Sequence, residues 1–173
     1  AEHIFSYVRD RVRYTSDVDQ FRYEEFAQNA DKLAGVIETS GSGEGDCEDY
    51  AVLLAVMFRA AGYRSAVVLA PRHAAALVLL PDYSEANVFW EFKGESGWIW
   101  AEATGRNNPL GWTPSEYIGS SDLLAYEITS DEDVFAAGEG EAPTSGEEGS
   151  SLGPMPFTSI IFLLWILPML RRR

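Results

Sequence analysis

The chain has 173 residues, of which 46% are hydrophobic, and a formal net charge of −14. This length supports one domain with a substantial core plus appendages, and the acidic charge argues against nucleic acid as a partner. A single cysteine and two histidines exclude an intramolecular disulfide, multi-cysteine zinc sites and histidine-rich metal sites.

Helical patterns dominate the first third of the chain. Apolar residues recur at helical spacing over residues 4–14 and 23–37, which predicts one helix in the first stretch and one or two in the second. Residues 38–45 are rich in Gly and Ser and predict a loop. A helix is expected to run from about Cys47 to Ala61, and Gly62 is suited to end it.

Strand patterns follow this helix. Three or four strands are predicted, over residues 65–70, 74–80, 87–93 and 97–103. Gly94 marks a hairpin between the last two of them. A short helix over 114–118 and an edge strand over 123–129 complete a predicted domain of residues 1–130.

The composition changes abruptly near Ser130. Residues 131–153 are rich in Gly, Glu, Ser, Pro and Thr, and they cannot bury enough apolar surface to offset their ordering entropy. We therefore expect a disordered acidic linker. Residues 154–173 form a third unit, an apolar run that three arginines close.

This C-terminal run has two interpretations. Its fourteen residues 157–170 reach about 21 Å as a helix, against ~30 Å for a hydrocarbon core, and snorkelling arginines narrow the gap. The favoured interpretation is a single-pass membrane anchor, with the arginines cytoplasmic and the domain on the extracellular side. The run also resembles a prokaryotic sorting signal with Pro154–Phe157 as its motif. The alternative is a helix packed on the domain.

The chemistry concentrates at residues 45–51, which read Gly-Asp-Cys-Glu-Asp-Tyr-Ala. A loop turns into a helix there, so the free backbone N–H groups and the helix dipole favour a thiolate at Cys47. His73 follows 26 residues later and could take the thiol proton, which is the apparatus of a cysteine nucleophile. The alternative is a small buried cysteine, but carboxylates on both sides are unusual for a core position.

These residues resemble the core of the transglutaminase-like superfamily. The resemblance covers roughly residues 4–118 and includes a strand opened by His73. It also includes residues 97–104, which match a family strand that usually reads Gly-Trp-x-x-x-Asp-x-Thr. It implies an α+β fold of the papain-like cysteine proteinase type, with a Cys-bearing helix packed on an antiparallel sheet. It also implies a triad of Cys47, His73 and the residue at position 102, where Glu102 replaces the usual Asp.

The same resemblance suggests a cation, although no cofactor is required by it. In calcium-dependent bacterial transglutaminase-like cysteine proteinases, the carboxylates that flank the nucleophile bind calcium. Asp46 and Glu48 are therefore candidate Ca²⁺ ligands here. The alternative is that these acids only complement the dipole at the start of a helix.

The function implied by the resemblance is thiol-dependent acyl transfer at an amide. With water as the acceptor the chain would be a cysteine peptidase or amidase acting on a protein or peptide, which is the favoured interpretation. With an amine as the acceptor it would be a transglutaminase that cross-links proteins. A non-catalytic module of the same fold that binds a peptide or glycan is the rival hypothesis.

Overall fold

Helices on one side and an antiparallel sheet on the other build the part of the chain that the structure describes. The structure is a computed structural model, and it describes residues 1–22, 26–129 and 142–145. In chain order the elements are α1 (Glu2–Arg11), β1 (Val12–Tyr14), α2 (Asp17–Phe21), α3 (Ala30–Ser40), β2 (Gly43–Gly45), α4 (Cys47–Ala60), β3 (Ser65–Ala70), β4 (His73–Leu79), β5 (Trp90–Phe92), β6 (Glu95–Ala101), β7 (Leu124–Glu127) and β8 (Thr144–Ser145).

The main sheet has six strands in the order β7-β3-β4-β6-β5-β8, and every neighbouring pair is antiparallel. Helix α4 packs against β3 and β4. Strands β1 and β2 form a separate parallel pair, in which Arg13 lies opposite Glu44. The helix that begins at Cys47 therefore lies on the sheet that carries His73, which is the arrangement predicted from the sequence.

Apolar side chains are buried on both faces of this sheet, because successive residues of a strand point to opposite faces. Val78 of β4 packs with Phe58 of α4, whereas its neighbour Leu77 packs on the other face with Trp98. Leu123, from the segment after β6, covers that second face. All five side chains are almost fully buried, so the strands that lead to the predicted site are held from both sides.

Helix α4 is fixed by the residues of its own first turn. The backbone N–H of Asp46 donates to Oδ2 of Asp49 at 3.2 Å, which is half of a capping box. At the other end Gly62 has a φ of +89°, a conformation that favours glycine and ends the helix. The predicted helix from Cys47 to Ala61 is confirmed to within one residue.

The predicted helix over 4–14 is wrong at its C-terminal end. Helix α1 ends at Arg11, and Val12–Tyr14 become β1 because their backbone pairs with Gly43–Gly45. That partner strand lies in the segment predicted as a loop, and α3 also runs three residues past its predicted end. A strand of three residues is too short to show a periodicity, so the sequence gives no sign of this pair.

The segment after β6 differs from its prediction as well. Residues 115–119 form turns rather than the short helix predicted over 114–118. The N–H of Tyr117 donates to the carbonyl of Pro114 at 3.1 Å, and no helical ladder follows. In the stretch predicted as a linker, Thr144–Ser145 pair with β5 at the edge of the sheet.

Most of the predicted linker and all of the predicted anchor, residues 154–173, lie outside the described residues. Within the described ranges, no helix is both long enough and apolar enough to cross a bilayer. Membrane attachment through the C-terminal run stays a prediction from the sequence.

The start of α4 yields a first testable prediction. A Cβ atom at Gly45 would lie 2.4 Å from Oδ2 and 2.6 Å from Cβ of Asp49, so Gly45→Ala must displace the carboxylate that caps the helix. We expect the free energy of unfolding to fall by about 1–3 kcal/mol, measured by urea denaturation. Gly35→Ala is the control, since its Cβ meets nothing within 4 Å and α3 should gain up to about 1 kcal/mol. Equal effects of the two changes would contradict the prediction.

Candidate active site

Cys47 is the first residue of α4, and its half-buried side chain faces the start of β4. Its Sγ donates a hydrogen bond to Oε2 of Glu48 at 3.2 Å. The backbone N–H of Ala74 also bonds to the sulfur, and this lowers the pKa of the thiol. Because Ala74 directly follows His73, the packing of α4 on β4 brings the cysteine beside the residue next to the histidine.

The thiol of Cys47 is nevertheless protonated at neutral pH in this arrangement. Burial raises its pKa to about 12, and the hydrogen bond to Glu48 and the charges of Glu48 and Asp46 act in the same direction. The N–H of Ala74 opposes them only in part. A helix start alone favours a thiolate, but here desolvation and two adjacent carboxylates outweigh it.

His73 and Glu102 form a hydrogen-bonded pair where two central strands meet, at the start of β4 and just after the end of β6. Strands β4 and β6 are antiparallel with Ala76 opposite Ala101, so the first residue of β4 lies beside the residues that follow β6. Nε2 of His73 bonds to Oε2 of the buried Glu102. A carboxylate can only accept a hydrogen bond, so Nε2 of the neutral ring carries the hydrogen and Nδ1 keeps its lone pair.

Thr104 completes this unit. Its backbone N–H donates to Oε1 of Glu102 at 3.2 Å, and its hydroxyl donates to the same oxygen. Burial alone would raise the pKa of Glu102, but the bonds from His73 and Thr104 outweigh it and hold that pKa below its usual value. Glu102 is therefore a carboxylate at neutral pH, and the threonine of the Glu-x-Thr sequence fixes its orientation.

An aromatic stack holds the other side of the imidazole. The ring of Tyr117 lies parallel to the ring of His73, with centroids 5.8 Å apart and an interplanar angle of 4°. Trp100 of β6 stacks in turn on Tyr117 at 5.5 Å and 17°. The imidazole is thus held by a hydrogen bond in its plane and by a ring against its face.

A cavity of about 390 Å³ opens beside this unit. His73 and Glu102 line it together with three aromatic residues, Tyr14, Trp112 and Tyr117. The side chains of Tyr14 and Trp112 are 55% and 37% exposed, so both can contact a bound molecule. The volume and the mixed lining suit a short stretch of a peptide or a small ligand. The cysteine is not among the lining residues.

Carboxylates crowd the other side of Cys47. The ligand atoms of Asp46, Cys47 and Glu48 all lie within 4.8 Å of one another, and those of Asp46 are equally close to Asp17 and Asp49. Buried Oδ1 atoms of Asp46 and Asp17 have no hydrogen-bond partner among the described residues. Burial, followed by Glu48, raises the pKa of Asp46 to about 7, and burial raises that of Asp17.

Asp49 differs from its acidic neighbours because hydrogen bonds satisfy it. It accepts from the backbone N–H and Nε2 of Gln28 at 2.7 and 2.8 Å, besides the N–H of Asp46. Its role is structural, whereas Asp46 and Asp17 each keep a buried oxygen without a partner among the described residues, and Glu48 lies beside Asp46. Oxygen donors of this kind fit a hard cation such as Ca²⁺.

A family model of the transglutaminase-like superfamily matches residues 1–116. The chain belongs to the transglutaminase-like superfamily. The matched residues contain Cys47, His73 and Glu102, and the helices with an antiparallel sheet confirm the predicted α+β, papain-like fold. Members of the superfamily are typically cysteine peptidases and transglutaminases. No curated protein compared with the chain matches it.

The superfamily motifs account for only part of this site. The structure brings His73 and Glu102 into contact, places Cys47 beside Ala74, and sets Asp46 and Glu48 around the sulfur. The sequence did not indicate Tyr117, Tyr14 or Asp17, and the turn that carries Tyr117 resembles a short helix in sequence. Any of the four tryptophans of the domain could wall a cleft by sequence alone, and the structure places Trp112 in the cavity lining.

The Glu102 carboxylate gives a prediction on acid stability. Its pKa in the folded chain lies below the ordinary value of about 4.3, so it stabilises the fold above that pH and the stabilisation is lost as the pH falls through the folded pKa. The difference in free energy of unfolding between the wild type and Glu102→Gln, measured with urea, should decrease as the pH falls from about 5 to about 3. Glu38→Gln, on the exposed surface of α3, should show no such decrease. An advantage of Glu102 that grows on acidification would exclude the proposed charge state.

Proposed function

We propose that the chain is a thiol-dependent acyl transferase that acts on amides, and in its favoured form a cysteine peptidase or amidase. The observation that carries this proposal is the unit of His73, Glu102 and Thr104 beside Cys47. Glu102, itself held by Thr104, orients the imidazole of His73 through Nε2. The candidate nucleophile Cys47 bonds to the N–H of Ala74, the residue after His73. Burying the Glu102 carboxylate lowers the stability of the fold unless hydrogen bonds compensate for the lost water, so packing alone does not account for this unit.

In the proposed mechanism, Nδ1 of His73 takes the proton of the Cys47 thiol as the sulfur attacks the amide carbon. The imidazolium then donates this proton to the departing amine, which leaves an acyl thioester. His73 next takes a proton from water, the hydroxide adds to the acyl carbon, and the thiol and a carboxylic acid are released. Glu102 stabilises the imidazolium through Nε2. The backbone N–H of Cys47 is our candidate donor to the oxyanion.

The cavity supports a protein or peptide as the substrate. Tyr14 and Trp112 provide partly exposed aromatic walls next to His73, and extended peptide side chains pack well against such surfaces. With an amine in place of water the same steps would make a transglutaminase. We also propose, from the sequence of residues 154–173 alone, that the domain is attached to the extracellular side of a membrane.

Two observations favour the rival function, a non-catalytic binding module. Burial raises the pKa of the Cys47 thiol to about 12, and the cysteine is absent from the lining of the cavity. A module of this kind would bind peptide in the cavity and leave it unchanged. The two functions differ in whether Cys47 is needed for turnover.

Hydrolysis of fluorogenic peptide amides by the full chain tests the proposal. Cys47→Ala should abolish hydrolysis, and His73→Ala should lower kcat/KM by roughly a thousandfold or more, because the members of such a unit act together. His3→Ala removes the other histidine, which is exposed on α1, and should leave the rate unchanged. If Cys47→Ala keeps most of the activity, the thiol mechanism is excluded. Binding of the same peptides without hydrolysis would favour the binding module.

We further propose that Asp46 and Glu48, with Asp17 beside them, hold Ca²⁺. Unpartnered buried carboxylate oxygens support this, and a bound cation would offset the negative charge around the thiol. Calorimetric titration with CaCl₂ should give heat that Asp46→Asn and Glu48→Gln remove and the exposed Asp82→Asn does not. Chelation with EGTA should slow the alkylation of Cys47 by iodoacetamide. If there is no heat and no effect of EGTA, the acids act only at the helix terminus.

A further inference from the structure

A second cavity, of about 450 Å³, has an arginine-rich lining. We call it the arginine groove and define it by Arg9, Arg11, Arg13 and Arg106. The described residues contain eight arginines, so half of them line one groove in a chain whose net charge is −14. Asp10 is the one acidic residue in the lining. Such a concentration of one charge against the overall charge marks a surface that attracts anions.

The fold builds this groove from two distant segments. The last turn of α1 and strand β1 carry the first three arginines, and the loop after β6 carries Arg106. The backbone of β1 is held by its pairing with β2 and by the Tyr50 hydroxyl, which donates to the carbonyl of Val12. Nη1 of Arg11 donates to the carbonyl of Gly41 at 2.9 Å, which sets the direction of that side chain.

The positive charge of the groove is only half neutralised. Arg9 pairs with Asp10 at 3.1 Å and Arg13 pairs with Glu44, and these are exposed contacts that contribute little stability. Arg11 donates to a neutral carbonyl, and Arg106 is exposed with no ion pair among the described residues. Two of the four guanidinium groups thus have no carboxylate of the described chain to balance them.

The groove adjoins the candidate active site. Tyr14 lines the cavity beside His73, whereas its neighbour Arg13 lines the groove. Gly105 and Arg106 divide in the same way, one lining each cavity. Strand β1 and the loop after Glu102 therefore form a common wall. An extended peptide in the first cavity would need only a few residues to cross this wall.

We propose that the arginine groove is a substrate subsite that binds the carboxylates of an acidic peptide, a few residues from the amide at the Cys47–His73 site. This rests on the proposed function. A guanidinium group binds a carboxylate through two parallel hydrogen bonds, so the unbalanced Arg11 and Arg106 can each take one Asp or Glu side chain. The acidic surface elsewhere repels such a peptide, which makes this groove the place where its carboxylates are accepted.

Binding is tested on the full-length Cys47→Ala chain, so that no catalysis is needed. The probes are two fluorescein-labelled ten-residue Gly/Ser peptides, one with four Glu and one with four Gln at the same positions. The Glu peptide should bind about tenfold or more tightly than the Gln peptide, and the difference should shrink at high salt. Arg106→Gln should remove most of the difference. Arg106 is exposed and makes no ion pair within the described part, so its replacement should leave the fold intact.

Arg59→Gln is the matched control, because Arg59 lies exposed on α4 away from the groove and its loss changes the net charge equally. It should leave the Glu peptide bound as before. Equal binding of the two peptides, or an equal effect of Arg59→Gln and Arg106→Gln, overturns the subsite. Tighter binding of single-stranded DNA or anionic vesicles than of the Glu peptide also overturns it.

Hydrolysis assays on the chain that retains Cys47 distinguish the failure of this subsite from the failure of the proposed function. If peptide amides are hydrolysed, Arg106→Gln should raise KM about tenfold for an acidic substrate, with the loss in KM rather than kcat. Hydrolysis without a preference for the acidic substrate refutes the subsite and leaves the proposed function standing. Binding of the Glu peptide through Arg106 without any hydrolysis refutes the proposed function and supports the groove as a binding site.

Discussion

The buried carboxylate of Asp49 fixes the point from which the site is built. It accepts the N–H of Asp46 and both donors of Gln28, so it joins the start of α4 to the segment before α3. The side chain lies against Gly45, where no larger residue fits without moving it. The position of Cys47, two residues before Asp49 in the first turn of α4, follows from these bonds, and β4 then brings Ala74, the neighbour of His73, to the sulfur.

The site has an uneven distribution of charge. On the helix side the thiol is surrounded by Asp46 and Glu48, and on the sheet side it bonds to the backbone N–H of Ala74, the residue after His73. The carboxylate of Glu102 is stabilised by three donors, whereas that of Asp46 has a buried oxygen without one. Two acids in one site thus have opposite shifts of pKa: burial raises both, but His73 and Thr104 outweigh it at Glu102, whereas Glu48 and Asp49 add to it at Asp46.

The sequence predicted those parts of the fold whose signals are local. Helix α4 has a capping residue, an apolar stripe and a terminal glycine, and β3 and β4 are long enough to be recognised. The β1–β2 pair could not be predicted, since a parallel contact between two three-residue segments depends on the whole fold.

The same distinction applies to the site. The motifs give the order of Cys47, His73 and Glu102 along the chain, but they do not predict which other residues contact these three in the folded structure. The stack of Tyr117 on His73 and the acid at Asp17 arise from segments distant in sequence. The raised pKa of Cys47 depends on burial, which a motif does not encode.

Strand β1 has a consequence for how this protein can change during evolution. Its backbone is held by pairing with β2 and by the Tyr50 hydroxyl, so its exposed side chains contribute little to the stability of the fold. Arg13 and Tyr14 stand on opposite sides of the wall between two cavities. A substitution at either position can therefore change which ligands one cavity binds without changing the other cavity. A lineage could acquire new ligand preferences through single exchanges in this short strand, without passing through variants that have lost the helix start or the imidazole.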